Sequence, residues 1–264
     1  MKYTISALLI VLLFKSSLGF AQQNITNKDD YKTETTVLKD TLASPRYSKS
    51  RELQKAIKAP LILTAVGLFS LTNNGLLNNQ EVQNERNKLI PNFKHNADNY
   101  LQYAPIVATY GLNLAGVKGK NNFANRTAIL IKTQVLFGVV TYSLKKLVAE
   151  PRPDTGFPNS FPSGHTAQAF AAATFMSKEY GHINIWYSIG AYTVATGVGA
   201  MRIMNNRHWI SDVLVGAGIG ILSTNIVYLT HQYKWDKKNK RGHTMVMPSY
   251  DGQTGMLCMI HRFN

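Results

Sequence analysis

Apolar residues in this chain are grouped. A first run, Ile5 to Phe14, is preceded by Lys2 and followed by Gly19-Phe20-Ala21. From Gln22 to about Ala59 the chain is polar and charged with no sustained apolar period. Beyond Pro60, apolar segments recur at roughly 61–77, 101–117, 127–148, 164–180, 183–201 and 209–231, broken by Gly, Asn and charge clusters. This spacing predicts an all-α chain with a six-helix bundle, preceded by a basic helix over 48–58.

The first run has the order of a secretory signal with a small-x-small cleavage site. An uncleaved anchor is the alternative, but ten apolar residues ending at Lys15 are short for a span, which needs about 20. The expected organisation is a signal peptide over 1–21, a polar linker and basic helix over 22–58, a helical domain over 59–233 and a C-terminal tail over 234–264.

Several of the six segments contain Thr, Asn, Gln or Lys, so a soluble helical bundle stands beside a transmembrane one. Charge favours the membrane. Lys118, Lys120 and Arg126 fall between the second and third helices, and Lys234, Lys237, Lys238, Lys240 and Arg241 follow the sixth, on one side of a six-helix weave. That side is expected to be cytoplasmic, with the opposite helix ends in the periplasm. A cleaved leader would put the mature N-terminus outside, whereas six spans and a cytoplasmic C-terminus put it inside; the first helix does not span or the leader stays.

The 264 residues carry 29 basic and 14 acidic side chains, a net +15 that suits an anionic partner: phosphate, nucleic acid or an anionic lipid surface. Cys258 is the only cysteine, which excludes an intrachain disulfide and a cysteine-built metal site. The mean hydropathy of −0.13 is low for a protein made mostly of spans, diluted by the two polar tails.

Three clusters lie at the helix ends. Lys145, six residues, then Arg152-Pro153 close the third helix. Lys offers a compact charge and Arg a planar bidentate donor to phosphate oxygens, although basic residues at a helix end also complement the helix dipole or snorkel. Phe161-Pro162-Ser163-Gly164-His165-Thr166 opens the fourth helix. Orphan N–H groups there make an anion site, Gly164 lets an oxygen approach the backbone, Ser163 adds a hydroxyl, and His165 can act as a general acid. Arg202, five residues, His208, three residues and Asp212 join the fifth and sixth helices. Four apart on a helix, His208 and Asp212 share a face, so the carboxylate can hold one ring nitrogen while the other attacks phosphorus. Standing alone, His-x-x-x-Asp is better explained as a helical surface pair. The antiparallel weave brings the three clusters to one face. His165, His208 and Asp212 could in principle ligate zinc, yet Lys145, Arg152 and Arg202 repel a cation and attract an anion.

These clusters resemble the motifs of the type 2 phosphatidic acid phosphatase superfamily: Lys-x6-Arg-Pro, Pro-Ser-Gly-His and Ser-Arg-x5-His-x3-Asp. The match runs through Lys145 to Pro153, Pro162 to His165 and Arg202 to Asp212, inside residues 100–231. Met201 stands where the family has Ser. The resemblance implies a helical bundle of the phosphatidic acid phosphatase/vanadium haloperoxidase type. It implies that His208 attacks phosphorus, Asp212 orients it and His165 protonates the leaving group. It further implies that Lys145, Arg152, Ser163, Gly164 and Arg202 bind phosphate, with no metal and no cofactor. The runs Arg202 to Asp212 and Asn99 to Pro105 look most like bacterial lipid A 4′-phosphatase-like enzymes.

The expected function is therefore phosphate removal from a membrane lipid, of the lipid A, undecaprenyl diphosphate or phosphatidic acid class, through a phosphohistidine, at the periplasmic face of a bacterial inner membrane. The expected partners are the phosphorylated lipid and the membrane, not nucleic acid. Three alternatives remain: a secreted soluble acid phosphatase of the same superfamily, a vanadate haloperoxidase, and a non-enzymatic basic membrane- or nucleic-acid-binding module.

Overall fold

The computed structural model describes residues 45–72, 77–232, 244–250 and 255–261. The signal peptide and most of the linker lie outside these residues, as do the basic positions Lys234 to Arg241. The described chain folds into α1 (Pro45–Phe69), α2 (Asn79–Leu89), α3 (Asp98–Leu101), α4 (Ala104–Leu114), α5 (Phe123–Val148), α6 (Gly164–Tyr180), α7 (Ile185–Met204) and α8 (Ile210–Thr230). These are followed by an antiparallel hairpin of β1 (Thr244–Tyr250) and β2 (Gly255–His261), in which Thr244 pairs with His261 and Met247 with Cys258. The bundle is all-helical as the periodicity requires, and the hairpin lies in the C-terminal tail beyond it.

The last four helices fall within a few residues of the expected ranges. The earlier ones differ for identifiable reasons. The basic helix and the first apolar segment are one helix, α1, which runs through Pro60. A proline lacks the N–H that would bond to the carbonyl four residues back. Here the Asn225 Nδ2 of α8 donates to that carbonyl, Ala56 O, at 2.8 Å. Asn225 thus supplies the donor that Pro60 removed. The segment expected over 101–117 is split into α3 and α4, with Pro105 at the first turn of α4, where a missing N–H costs nothing. The unforeseen α2 is polar except for Val82 and Leu89 and buries no residue, so it carries no apolar period. Asn78 caps it by accepting from Gln80 N at 2.9 Å.

The centre of the bundle is α8, which packs on α1, α5 and α6. Close approach is set by glycine. A Cβ on Gly220 would lie 2.2 Å from Ala167 O of α6, and one on Gly218 would lie 2.4 Å from Thr64 Oγ1 of α1. On α6, Ala167, Ala169, Ala171, Ala172 and Ala173 are buried, so its small side chains bring the neighbouring backbones near. Phe137, Phe161, Val215 and Ile219 pack around Ala167 and Ala171 directly beneath the motif-bearing end. Burying each large side chain contributes about 1.5–3 kcal/mol.

Two helices among the described residues, Phe123–Val148 and Ile210–Thr230, are long and apolar enough to cross a bilayer. On α5, Ile129, Thr133, Phe137 and Thr141 face inward, whereas Ile131, Val135, Val139 and Tyr142 form an exposed apolar stripe at helical spacing. At the far end from the motifs, Arg126 is not the loop cation expected. It is 1% exposed, and its Nε lies 3.1 Å from Glu179 Oε2. Asn121 and the Tyr228 hydroxyl also donate to Glu179. Burial requires this pairing, and Arg126 therefore adds no surface charge beside the exposed Lys118 and Lys120.

Candidate active site

Each motif sits at a helix terminus for a local reason. Helix α5 ends as Ala149 turns into the left-handed region (φ 49°), after which Pro151 and Pro153 prevent helical continuation. Lys145 lies in the last turn of α5, and its Nζ donates to Asn159 O at 2.6 Å and Ser160 O at 3.1 Å. Arg152 lies in the loop that follows. Its Nε donates to Asn159 Oδ1 at 2.6 Å, and its backbone bonds Phe157 O and Gly156 N close a small turn. The loop returns beside α5, where Ser160 N donates to Glu150 O at 2.9 Å.

Ser163 caps α6. It is fully buried, its Oγ accepts from Thr166 N and lies 2.9 Å from Thr166 Oγ1, and its own N–H donates to Asp212 O at 3.0 Å. As the cap, Ser163 Oγ aims the start of α6 at the site. A Cβ at Gly164 would meet only Thr141 Cγ2, at 3.8 Å, so the protein leaves the backbone there open to approach. His165 stands at the mouth, its Nε2 2.9 Å from Asn99 Oδ1. Because that oxygen only accepts, the bond assigns the proton to Nε2 and leaves Nδ1 as the acceptor.

Arg202, in the last turn of α7, is buried and donates from Nη1 to Asp98 Oδ2 at 2.7 Å, while its Nε finds no acceptor among the described residues. His208 is also buried. It lies in the turn before α8 and not on the helix, so the shared-face argument does not produce its contact with Asp212. The pair forms across the helix start: His208 Nδ1 is 3.2 Å from Asp212 Oδ2, in the first turn of α8. That same Oδ2 accepts from Trp209 N at 3.0 Å and from Ser160 Oγ at 2.5 Å. With Asp212 ionised, Nδ1 carries the proton and the Nε2 lone pair is free.

Electrostatics agree with that tautomer. Burial, more than any other effect, holds His208 down at about 4, with Arg202 and Lys145 acting in the same direction and the hydrogen bond and charge of Asp212 opposing them. At neutral pH the ring is uncharged and nucleophilic. Arg152 is pulled below its ordinary value by burial first and the charge of Arg202 next. His165 lies within the fields of Arg202, Asp98, Arg152 and Lys145. The residues expected from the three motifs thus meet at one end of the bundle.

Five contributors were not read from the motifs: Asp98 and Asn99 on α3, and Glu150, Asn159 and Ser160 on the loop between the first two motifs. Buried polar groups carry no periodic signal. The one available cue was position, since Glu150, Asn159 and Ser160 lie between motif residues, and Asn99 opens the stretch already noted as family-like.

Residues 126–236, which contain all three motifs, match the PAP2 superfamily. The chain is 41% identical over 141 residues to the lipid A 1-phosphatase of Porphyromonas gingivalis, covering 52% of this chain and 31% of the relative, so it spans about a third of that relative's length. Among solved structures, it is similar to that of Aquifex aeolicus LpxE, at 26% identity over 55% of this chain and 93% of that one, with a TM-score of 0.42. It is also similar to the first transmembrane PAP2 type phosphatidylglycerolphosphate phosphatase from Bacillus subtilis, at 19% identity over 64% and 94%, with a TM-score of 0.42.

Proposed function

From the premise that residues 126–236 match the PAP2 superfamily, we propose that the chain is a membrane phosphatase that hydrolyses a lipid-borne phosphate through a phosphohistidine on His208. The observation that carries this reading is a neutral, buried imidazole, backed by Asp212, at the same helix ends as Lys145, Arg152 and Arg202.

In the first step, His208 Nε2 forms a bond to phosphorus as the ester oxygen departs with the bonding electrons. The proton on Nδ1 stays, so the ring becomes cationic, and Asp212 stabilises that charge. Lys145, Arg152, Arg202 and the N–H groups at the start of α6 hold the three non-bridging oxygens. His165, neutral in the free site, takes up a proton with the anionic phosphate, whose charge offsets the surrounding cations, and gives it to the departing alkoxide. In the second step His165 removes a proton from water, the water oxygen attacks phosphorus and the bond to Nε2 breaks, releasing inorganic phosphate.

The proposed substrate is a lipid whose phosphate lies at headgroup depth, and the exposed stripe on α5 supports lipid contact. The P. gingivalis relative is named for lipid A dephosphorylation at the 1-position, whereas the finer resemblance in the sequence was to 4′-phosphatases; a lipid A phosphate is proposed ahead of undecaprenyl diphosphate and phosphatidic acid. The proposed location is the bacterial inner membrane with the site facing the periplasm. A soluble phosphatase of the same kind is the second reading, because only two described helices pass as spans and α8 is mostly buried.

The test is phosphate release from each of these lipids in detergent micelles by the full chain and by His208→Ala. The expected result is turnover of one lipid class by the wild type and none by the variant. Undiminished release by His208→Ala would overturn the reading.

A further inference from the structure

The oxygen atoms around Asp212 leave one imbalance. Its Oδ2 accepts from Ser160, Trp209 and His208, but its Oδ1 is buried without a donor among the described residues. A second buried oxygen in the same condition is Oε2 of Glu150. Ser160 touches both residues, its N–H on the Glu150 carbonyl and its Oγ on Asp212, and the Asp212 charge acts on the Glu150 carboxyl, so the two carboxyl groups are neighbours. Two carboxylates cannot donate to one another, and burying two adjacent negative charges is costly, whereas one shared proton satisfies both oxygens at once.

We infer that Glu150 is a positioning residue of the site: as the neutral acid it donates from Oε2 to Asp212 Oδ1, fixing the carboxylate that orients His208. This inference rests on the reading of His208 as the nucleophile. The Glu150 backbone is pinned by Ser160 N, and Ser160 Oγ grips the other oxygen of Asp212, so the loop between the first two motifs clasps the carboxylate from two directions.

Asp212, on α8, is the charged group whose field reaches Glu150, with burial the larger influence; together they raise the carboxyl to about 7. Lys145 at the end of α5, Arg152 in the loop and Arg202 on α7 interact with Asp212 or His208. The proton is present below about 7 and is lost as pH rises through that value. Ionisation then removes the donor and places a second negative charge against Asp212. The carboxylate loses its fixed orientation, and turnover falls on the alkaline side.

The test uses the full chain in detergent, with kcat and KM followed from pH 5 to 9 on phosphatidic acid and lipid A micelles. Glu150→Gln keeps an N–H donor that cannot ionise. It should hold kcat within about threefold of wild type at pH 6 and shift the alkaline limb, leaving only the limb set by loss of the proton from His165. Glu150→Ala should lower kcat roughly tenfold or more with KM little changed, since a bond to a charged group is lost from the catalytic pair and not from substrate binding. An alkaline limb whose position is the same in Glu150→Gln as in wild type, or an unaltered kcat in Glu150→Ala, would overturn the assignment. Infrared difference spectra of the same protein give a readout that needs no turnover. A protonated-carboxyl band should disappear between pH 5 and 9 in wild type and be missing from Glu150→Gln. If the wild type lacks that band, or Glu150→Gln retains it, the assignment fails even if the chain is a phosphatase. If no lipid is turned over, or His208→Ala is active, the phosphatase reading fails and the infrared band still decides the state of Glu150.

Discussion

Replacing Asp98 with alanine removes the counter-charge of a buried arginine at the heart of the site. The Arg202 and Asp98 side chains are 8% and 1% exposed and meet at 2.7 Å, so neither is well hydrated in the folded chain. Removing one member of such a pair strands the other, at a cost of about 3–5 kcal/mol. At about 2–4 °C per kcal/mol for a chain of this size, Asp98→Ala is expected to melt roughly 6–20 °C below wild type. The ion pair also competes with any oxyanion that Arg202 is to hold. Vanadate, which mimics five-coordinate phosphorus, should supply the missing charge and bind the variant about tenfold more tightly, a gain of about 1.4 kcal/mol. The assay is thermal melting of both proteins in detergent, followed by tryptophan fluorescence, across a vanadate titration. A variant that melts within about 2 °C of wild type, or equal vanadate stabilisation of the two proteins, would refute the reasoning that Arg202 is shared between Asp98 and the phosphate.

Three further outcomes are expected. The acid limb of kcat/KM should lie near 4 and not near the ordinary histidine value of 6.5, because His208 must lose its proton to attack and burial lowers that transition; a limb near 6.5 in a pH profile would contradict it. EDTA should leave phosphate release unchanged, since Lys145, Arg152 and Arg202 supply the positive charge, and loss of activity restored by zinc or magnesium would count against this. With Cys258→Ser as background, a cysteine at Thr155, in the exposed loop between the first two motifs, should react with a membrane-impermeant thiol reagent in intact spheroplasts. Labelling only after lysis would place the site in the cytoplasm.

The parts legible in the sequence were those with a repeating or punctuated signal. Helices α5 to α8 were read from apolar runs bounded by Gly, Pro and Asn, and the three motifs from their fixed spacings. Contacts made once, by non-local partners, were not legible. Nothing in the neighbourhood of Pro60 announces that Asn225 will donate to Ala56 O and allow α1 to continue. Asp98 looks like an ordinary first-turn acid until folding sets it against Arg202, 104 residues away. His208 and Asp212 were correctly paired on an incorrect geometric argument: the spacing suits a helix, but the histidine sits before its start. Arg126 was misplaced because a sequence does not distinguish a loop cation from one that enters a helix and finds Glu179.

The central claim is that phosphate resides for a time on His208, and brief exposure of the purified chain to a phosphorus-labelled lipid substrate, followed by rapid denaturation, tests it most directly. The account predicts protein-bound label that is stable in alkali, labile in acid and located on the peptide carrying His208, with none on His208→Ala. Turnover without any trapped label under conditions that slow the second step, or acid-labile label that persists in His208→Ala, would contradict it.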